Sequence, residues 1–255
     1  MIADLHVHTK FSCDSEAEME QYAKKALEKN CSYICFTDHV DFNKNDYGCG
    51  YYSSDKFFEE FSIIRKKYSN HKALSILSGI EFSEPHLYKN QLNTLKEYPY
   101  DYIIGSIHWV KDMFPNKEVR DKYSANEFYE MYWDEVLEAV KAGGFDCLGH
   151  IDFPKRYYME TIYEPNLLCE IFDTMIGKNI VLEINTSSLR KGITEPMPGK
   201  EILNIYKQCG GKFVTIGSDA HEEKDLLSDY FTAQKLIENM KLQQVFFIKH
   251  QMKIL

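Results

Sequence analysis

The chain predicts an α/β fold, with parallel strands inside and helices outside, and three observations carry that reading. Strand-length apolar runs alternate with amphipathic helical segments, the alternation repeats seven times, and no long Pro/Gly/Ser-rich stretch interrupts it. Seven such units in one domain favour a barrel over an open sheet, although periodicity fits both. With 255 residues, 44% hydrophobic and 27% charged, the chain is long enough for one large core, and residues 1–255 read as a single domain.

The elements follow in order. Residues 2–7 form the first apolar run. Met19, Tyr22, Ala23, Ala26 and Leu27 then repeat at helical spacing, with Ser15 and Glu18 as a capping box. The second and third runs, 33–36 and 73–80, flank a helix over about 55–68. The fourth, 102–107, precedes a helix opened by the Ser124–Glu127 capping box and continued by Phe128, Met131 and Tyr132. The fifth, 145–151, leads to a helix over about 166–178, and the sixth, 180–184, to one over about 199–208. The seventh, 213–216, precedes a helix over about 227–240, and residues 244–249 suggest a terminal strand. Most runs are rich in Ile, Val, Phe or Tyr, as strands buried on both faces should be.

Composition excludes several classes. Thirty Lys and Arg oppose 39 Asp and Glu, a net charge of -9, which disfavours a nucleic-acid coat but not an anionic small substrate. No apolar run approaches the ~20 residues of a membrane span. Residues 1–6 lack the basic-then-apolar pattern of a signal peptide, so a cytoplasmic location is expected. The seven cysteines are odd in number and form no CxxC pair, so they read as reduced, mostly core residues.

Six of the nine histidines share one placement, at or just after the C-terminal end of a predicted strand. They are His6, His8, His39, His108, His150 and His221, and Glu81 and Asp219 hold equivalent positions. That end of a parallel sheet is where sites are built. His6 and His8 are two apart on a strand, so both face one side, and Asp219 and His221 repeat the spacing. One such histidine is ordinary core, but six with two carboxylates at the ends of six strands make a metal site. Imidazole and carboxylate without thiolate suit Zn, Mn or Fe, and with Asp14 the nine candidates exceed one tetrahedral site, pointing to two or three divalent ions. His71, His86 and His250 lack such placement.

These motifs resemble those of the PHP (polymerase and histidinol phosphatase) superfamily. The match is His6-x-His8, Thr37-Asp38-His39, Gly79-Ile80-Glu81, Ser106-Ile107-His108, Gly149-His150 and Gly217-Ser218-Asp219-Ala220-His221, in order along the chain. Length and the segments 150–156 and 183–190 are most similar to the stand-alone histidinol-phosphate phosphatases of histidine biosynthesis. The resemblance implies a distorted (β/α)7 TIM-like barrel, the PHP fold, with a trinuclear centre. It implies His6, His8, Glu81 and Asp219 around the first ion. Asp14, His39 and His221 surround the second, and Glu81, His108 and His150 the third, with Glu81 bridging.

Such a centre suits a phosphate monoester, a dianion that repels nucleophiles. Metal-bound water ionises near pH ~7, and three divalent ions against Asp14, Glu81 and Asp219 leave a site of about +3. Arg156 and Arg190, after the fifth and sixth strands, are candidate phosphate clamps, while Lys155 and Lys191 read as solvated neighbours. A metal-bound water, Asp152 or His221 could protonate the leaving group; His221 cannot act freely if it is a ligand, and Asp152 could instead support a ligand. Residues 41–52 and 157–163 are expected to line specificity loops for the ammonium and imidazole of histidinol phosphate.

The expected partner is thus a small phosphate ester, without nucleic acid or membrane. The pattern leaves metal identity, proton donor and oligomeric state open. The alternative is the same fold acting on nucleotides, oligonucleotides or phosphotyrosine. A non-catalytic binding module should lack ligands, and none is missing here. A metal amidohydrolase also opens with His-x-His, but its bridging lysine has no strand-end candidate.

Overall fold

The computed structural model describes residues 1–255. In chain order the elements are β1 (Ala3–Val7), α1 (Met19–Glu28), β2 (Tyr33–Val40), α2 (Ser54–Tyr68), β3 (Ser75–Ser83), α3 (Lys89–Leu95) and β4 (Tyr102–Ser106). Then come α4 (Lys117–Lys122), α5 (Ala125–Ala142), β5 (Cys147–Leu148), α6 (Lys155–Tyr158), α7 (Pro165–Gly177), β6 (Val181–Asn185) and α8 (Ser187–Arg190). The chain ends with α9 (Lys200–Gln208), β7 (Phe213–Gly217), a 3-10 turn (Glu223–Asp225), α10 (Tyr230–Met240), β8 (Gln243–Ile248) and β9 (Gln251–Ile254).

Strands β1 to β8 pair in sequence order and all in parallel, and β9 returns antiparallel on β8. The ring closes beyond β7. Ala220 bridges Val7, His8 N–H donates to Ala220 O (2.8 Å) and Asp219 N–H donates to His6 O (2.8 Å). The closing bonds therefore lie at the C-terminal rim. Toward the N-terminal ends of the strands, Val245, Phe246 and Phe247 of β8 pack with Leu5, Leu77, Tyr102 and Ile104. Phe246 lies 4.1 Å from Tyr33 and Phe247 5.2 Å from Tyr102, ring to ring. The barrel is thus seven strands plugged by β8, with β9 exposed on its outer edge, which is its distortion.

Most apolar burial lies between strands and helices, where 54 residues form one cluster against 11 inside the barrel. Each fully buried Leu, Ile or Phe there contributes about 1.5–3 kcal/mol. Helix α5 shows why the segments fold as they do. Ser124 and Glu127 complete its capping box, Tyr129, Tyr132, Trp133, Val136 and Val140 form its buried stripe, and Gly143 at φ +65° ends it. The capping pair of α1 differs from expectation. Glu18 and Gln21 form the box, while Ser15 Oγ bonds the carbonyls of His8 and His221, because the chain between Ser15 and Glu18 is held to the rim. Strands β2 and β3 run farther than their apolar cores, so His39 and Glu81 lie on strands rather than after them. No helix is long and apolar enough to cross a membrane.

The plug is latched at its turn. Lys249 N–H and His250 N–H bond Asp101, and His250 Nδ1 lies 2.8 Å from Asp146 Oδ2. Asp146 raises the His250 pKa above its ordinary value, with Lys96 opposing and Asp101 assisting. The protonated form is therefore stabilising at pH below the unfolded value of about 6.5, and this contribution is lost as pH rises through the folded value. The Tm deficit of His250→Gln relative to wild type is accordingly expected to be larger at pH 5.5 than at pH 9. An equal deficit at both pH values would contradict the latch.

Candidate metal centre

Strand alternation builds the site. On β2 the inward residues lead from Cys35 to His39, on β3 from Leu77 to Glu81, on β4 from Tyr102 and Ile104 to the rim at His108, and on β6 from Val181 to Glu183 and Asn185. β1 departs from this rule. Its pairing with β2 shifts register between Asp4 and Val7, so Leu5 faces the interior apolar cluster and His6, the next residue, faces the site. A bulge that re-aims a side chain beside a site is a recurrent device. Asp219, at φ +53°, takes the left-handed backbone conformation uncommon for non-glycine residues.

The residues converge on Glu81, which is fully buried. His150 Nε2 lies 2.8 Å from Oε1 and His108 Nε2 3.3 Å. His39 Nδ1 (3.0 Å), His6 Nε2 (3.1 Å) and His8 Nε2 (3.5 Å) surround Oε2. Asp219 Oδ1 lies 3.3 Å from His8 Nε2, and Asp14 Oδ2 lies 3.1 Å from His221 Nε2 and 3.6 Å from His39 Nε2. All nine expected ligands thus come together, with Asp14 between His39 and His221. Burial alone would raise the Glu81 carboxyl, but the His6, His39 and His108 imidazoles hold it well below the usual carboxylate range. Burial, then His221 and His39, pushes His8 well below its ordinary value, leaving the neutral form that ligates metal.

Buried His6 Nε2, His8 Nε2, His39 Nδ1 and Glu81 Oε2 have no hydrogen-bond partner. Orphaned polar atoms are costly in a protein interior, and here they face one another. Several three-residue sets, among them His8/His39/His221 and His6/His150/Asp219, hold their ligand atoms within 4.8 Å. A divalent cation satisfies these atoms, so donor type and placement both fit metal.

A supporting layer orients the rings, and sequence reasoning missed most of it. Glu183 accepts from His6 Nδ1 (2.6 Å) and from His150 N–H (2.8 Å), tying two ligands on different strands. Ser12 Oγ, donating to Asp38, lies 3.0 Å from His8 Nδ1, and Ser83 Oγ, donating to Asp41, lies 3.0 Å from His108 Nδ1. The two-residue spacing of Glu183 and Asn185 was the available signal, since it places both on one strand face. A Cβ at Gly217 would overlap Glu183 Oε1 and His6, so only glycine permits this approach. Glu183→Gln is expected to weaken metal affinity and kcat/KM by ~10–100-fold. Metal titration and phosphate release would check it, and unchanged values would remove Glu183 from the support.

Both arginines reach the rim. Arg156 Nη2 donates to Asp219 Oδ2 and to Ser187 Oγ (2.6 Å), and Arg190 Nη2 donates to the Asp219 carbonyl (2.9 Å). Arg156 Nε and Arg190 Nη1 are buried without a partner. Both side chains line a cavity of about 380 Å³ with His39, His108, His150 and His221.

Two residues differ from expectation. Asp152 is fully buried, bonded to Thr161 and 3.7 Å from Lys155, and it is not on the cavity wall, so it is not placed to protonate a leaving group. Lys155 is not solvated; it is buried, donating to the Pro196 carbonyl. Both lie where the chain after β5 folds back over the rim, which periodicity does not describe. Lys191 is exposed, as expected, and lines the cavity beside Arg190.

A barrel whose rim carries this histidine–carboxylate cluster defines a class of metal-dependent phosphoesterases, and the chain belongs to the PHP domain family, whose model matches residues 4–187. It is 33% identical over 264 residues to the probable histidinol-phosphatase of Clostridium acetobutylicum, covering 99% of both chains. It is 28% identical over 246 residues to the histidinol-phosphatase of Lactococcus lactis subsp. lactis, covering 88% of this chain and 86% of that one. The crystal structure of histidinol phosphate phosphatase from Lactococcus lactis, complexed with Zn, L-histidinol and phosphate, superposes with a TM-score of 0.87 at 26% identity, over 99% of this chain and 98% of that one.

Proposed function

We propose that this chain is a metal-dependent phosphomonoesterase that hydrolyses L-histidinol phosphate to L-histidinol and phosphate. One observation carries the reading. Six of the nine candidate ligands, Asp14, His39, His108, His150, Asp219 and His221, line a cavity of about 380 Å³ together with two arginines that carry unpartnered N–H donors, and His6, His8 and Glu81 lie buried behind them. The Lactococcus relative, bound to Zn, L-histidinol and phosphate, supports the substrate and the metal type. The convergence of five imidazoles on Glu81, with Asp14 beside His39 and His221, supports a trinuclear centre of Zn, Mn or Fe.

Bound cations would supply the positive charge that a phosphoryl group and an attacking water need. The protein does the rest. Glu81, from the barrel axis, holds five imidazoles at fixed distances. Asp219 anchors both guanidinium groups, leaving Arg156 Nε and Arg190 Nη1 to bind phosphoryl oxygens. Asp41, Asp46, Tyr47, Phe114, Phe153 and Tyr157 line the cavity, an acidic and aromatic lining suited to the ammonium and imidazole of the substrate. The proton for the leaving alkoxide comes from the cavity side. His221 is on that wall, but its place beside Asp14 and His39 makes it a ligand first.

Single-domain organisation over residues 1–255 and a cytoplasmic location accompany this reading, without nucleic acid as a partner. The test is metal return. Chelator-stripped protein is expected to release phosphate from L-histidinol phosphate only after Zn, Mn or Fe is added back, with activity saturating above one equivalent per chain. Full activity in the stripped protein would overturn the reading, and saturation at one equivalent would overturn the multinuclear centre.

A further inference from the structure

Outside the metal cluster, two thiols meet between helices. Cys169 lies in α7 and Cys209 caps the C-terminus of α9, and their Sγ atoms are 3.0 Å apart. That is about 1 Å longer than a disulfide bond of ~2.05 Å. Both residues are half-buried, so a small reagent can reach them. The other cysteines differ. Cys31, Cys35 and Cys147 are buried and contact backbone carbonyls or Thr215, and Cys13 and Cys49 lie in the segments around the site. The helices are not arbitrary either. Helix α7 follows α6, which carries Arg156, and α9 follows α8, which carries Arg190.

We propose that Cys169 and Cys209 form an oxidisable dithiol, a modification site that a small disulfide of the glutathione type closes into a cross-link between α7 and α9. In the first step the Cys169 thiolate attacks one sulfur of the reagent RSSR. A protein–SR bond forms, the reagent's S–S bond breaks and one RS⁻ leaves. In the second step the Cys209 sulfur attacks the Cys169 sulfur and expels the second RS⁻, while the Cys209 proton is passed to a leaving thiolate. The sum is two protein thiols and RSSR giving one protein disulfide and two RSH, with the protein oxidised by two electrons and the reagent reduced by two. Burial, and then Cys169, push the Cys209 thiol up to about 12, and the 3.0 Å between the sulfurs places each within reach of the other. Thiol reductants reverse the sequence, as suits a compartment where disulfides are transient.

The experiment treats fully reduced protein with oxidised glutathione and counts thiols after denaturation. Wild type is expected to fall from seven thiols to five, to lose the mass of two hydrogens without retaining a glutathione adduct, and to yield a proteolytic peptide joining residues 169 and 209. Its Tm should rise by several degrees and return after reduction. Cys209→Ser should trap glutathione on Cys169, and Cys169→Ser should form no cross-link at Cys209. Seven thiols remaining in wild type, adducts without a cross-link, or a cross-link elsewhere such as Cys13–Cys49 would each overturn the proposal. Thiol count and mass are independent of phosphatase activity, so neither outcome depends on the substrate assignment.

Discussion

Phosphate release by Glu81→Gln is expected to fall by about three orders of magnitude, with bound metal lost in the same preparation. Glu81 belongs to two of the four three-residue sets and contacts histidines of the other two, and it is fully buried. Glutamine keeps its volume, so the loss comes from charge. Without the carboxylate, five imidazoles face one another across a largely buried site, and a divalent cation there is no longer balanced. A loss of about 4 kcal/mol in transition-state stabilisation corresponds to that ~10³-fold. Metal analysis of the purified variant beside its kcat/KM would check the expectation. Full metal occupancy with wild-type turnover would show that Glu81 is a packing residue.

The paired variant Arg156→Met/Arg190→Met should lose ~10²–10³-fold in kcat/KM while keeping its metal. Each arginine offers an unpartnered N–H donor to the cavity, and loss of one preorganised donor to a developing anion costs about that factor. Methionine preserves much of the apolar stem. Asp219 loses two contacts, but its carboxylate also faces His6 and His8 and accepts from Asn185 Nδ2 and Ser187 Oγ. Metal content separates this variant from Glu81→Gln. Loss of metal as well would mean that the arginines hold Asp219 in place rather than bind phosphate.

Much of this site was legible because strand chemistry is periodic. Residues two apart share a face, and His6 with His8, or Asp219 with His221, shows that spacing directly. Glu81 was legible for the same reason, as a charge ending an apolar run. What escaped depends on contacts between distant segments. The bulge in β1 cannot be read from residues 3–7, because it is defined by pairing with β2. Glu183 stands at the end of an apolar run as Glu81 does, yet its partner is a ring nitrogen 177 residues away. Asp152 looked catalytic from its place after β5, and only the packing of Thr161 and Lys155 around it shows that it faces inward. The plugging of the barrel by β8 follows from the ring contacts of Tyr33 and Tyr102, which local pattern does not contain.

The measurement that bears most directly on the account is kcat/KM for phosphate release from L-histidinol phosphate, beside p-nitrophenyl phosphate and a nucleotide panel, with protein loaded with Zn or Mn. The account predicts a strong preference for L-histidinol phosphate, because the cavity pairs a phosphate clamp with an acidic and aromatic wall. Equal rates across the panel, or activity on nucleotides alone, would contradict it.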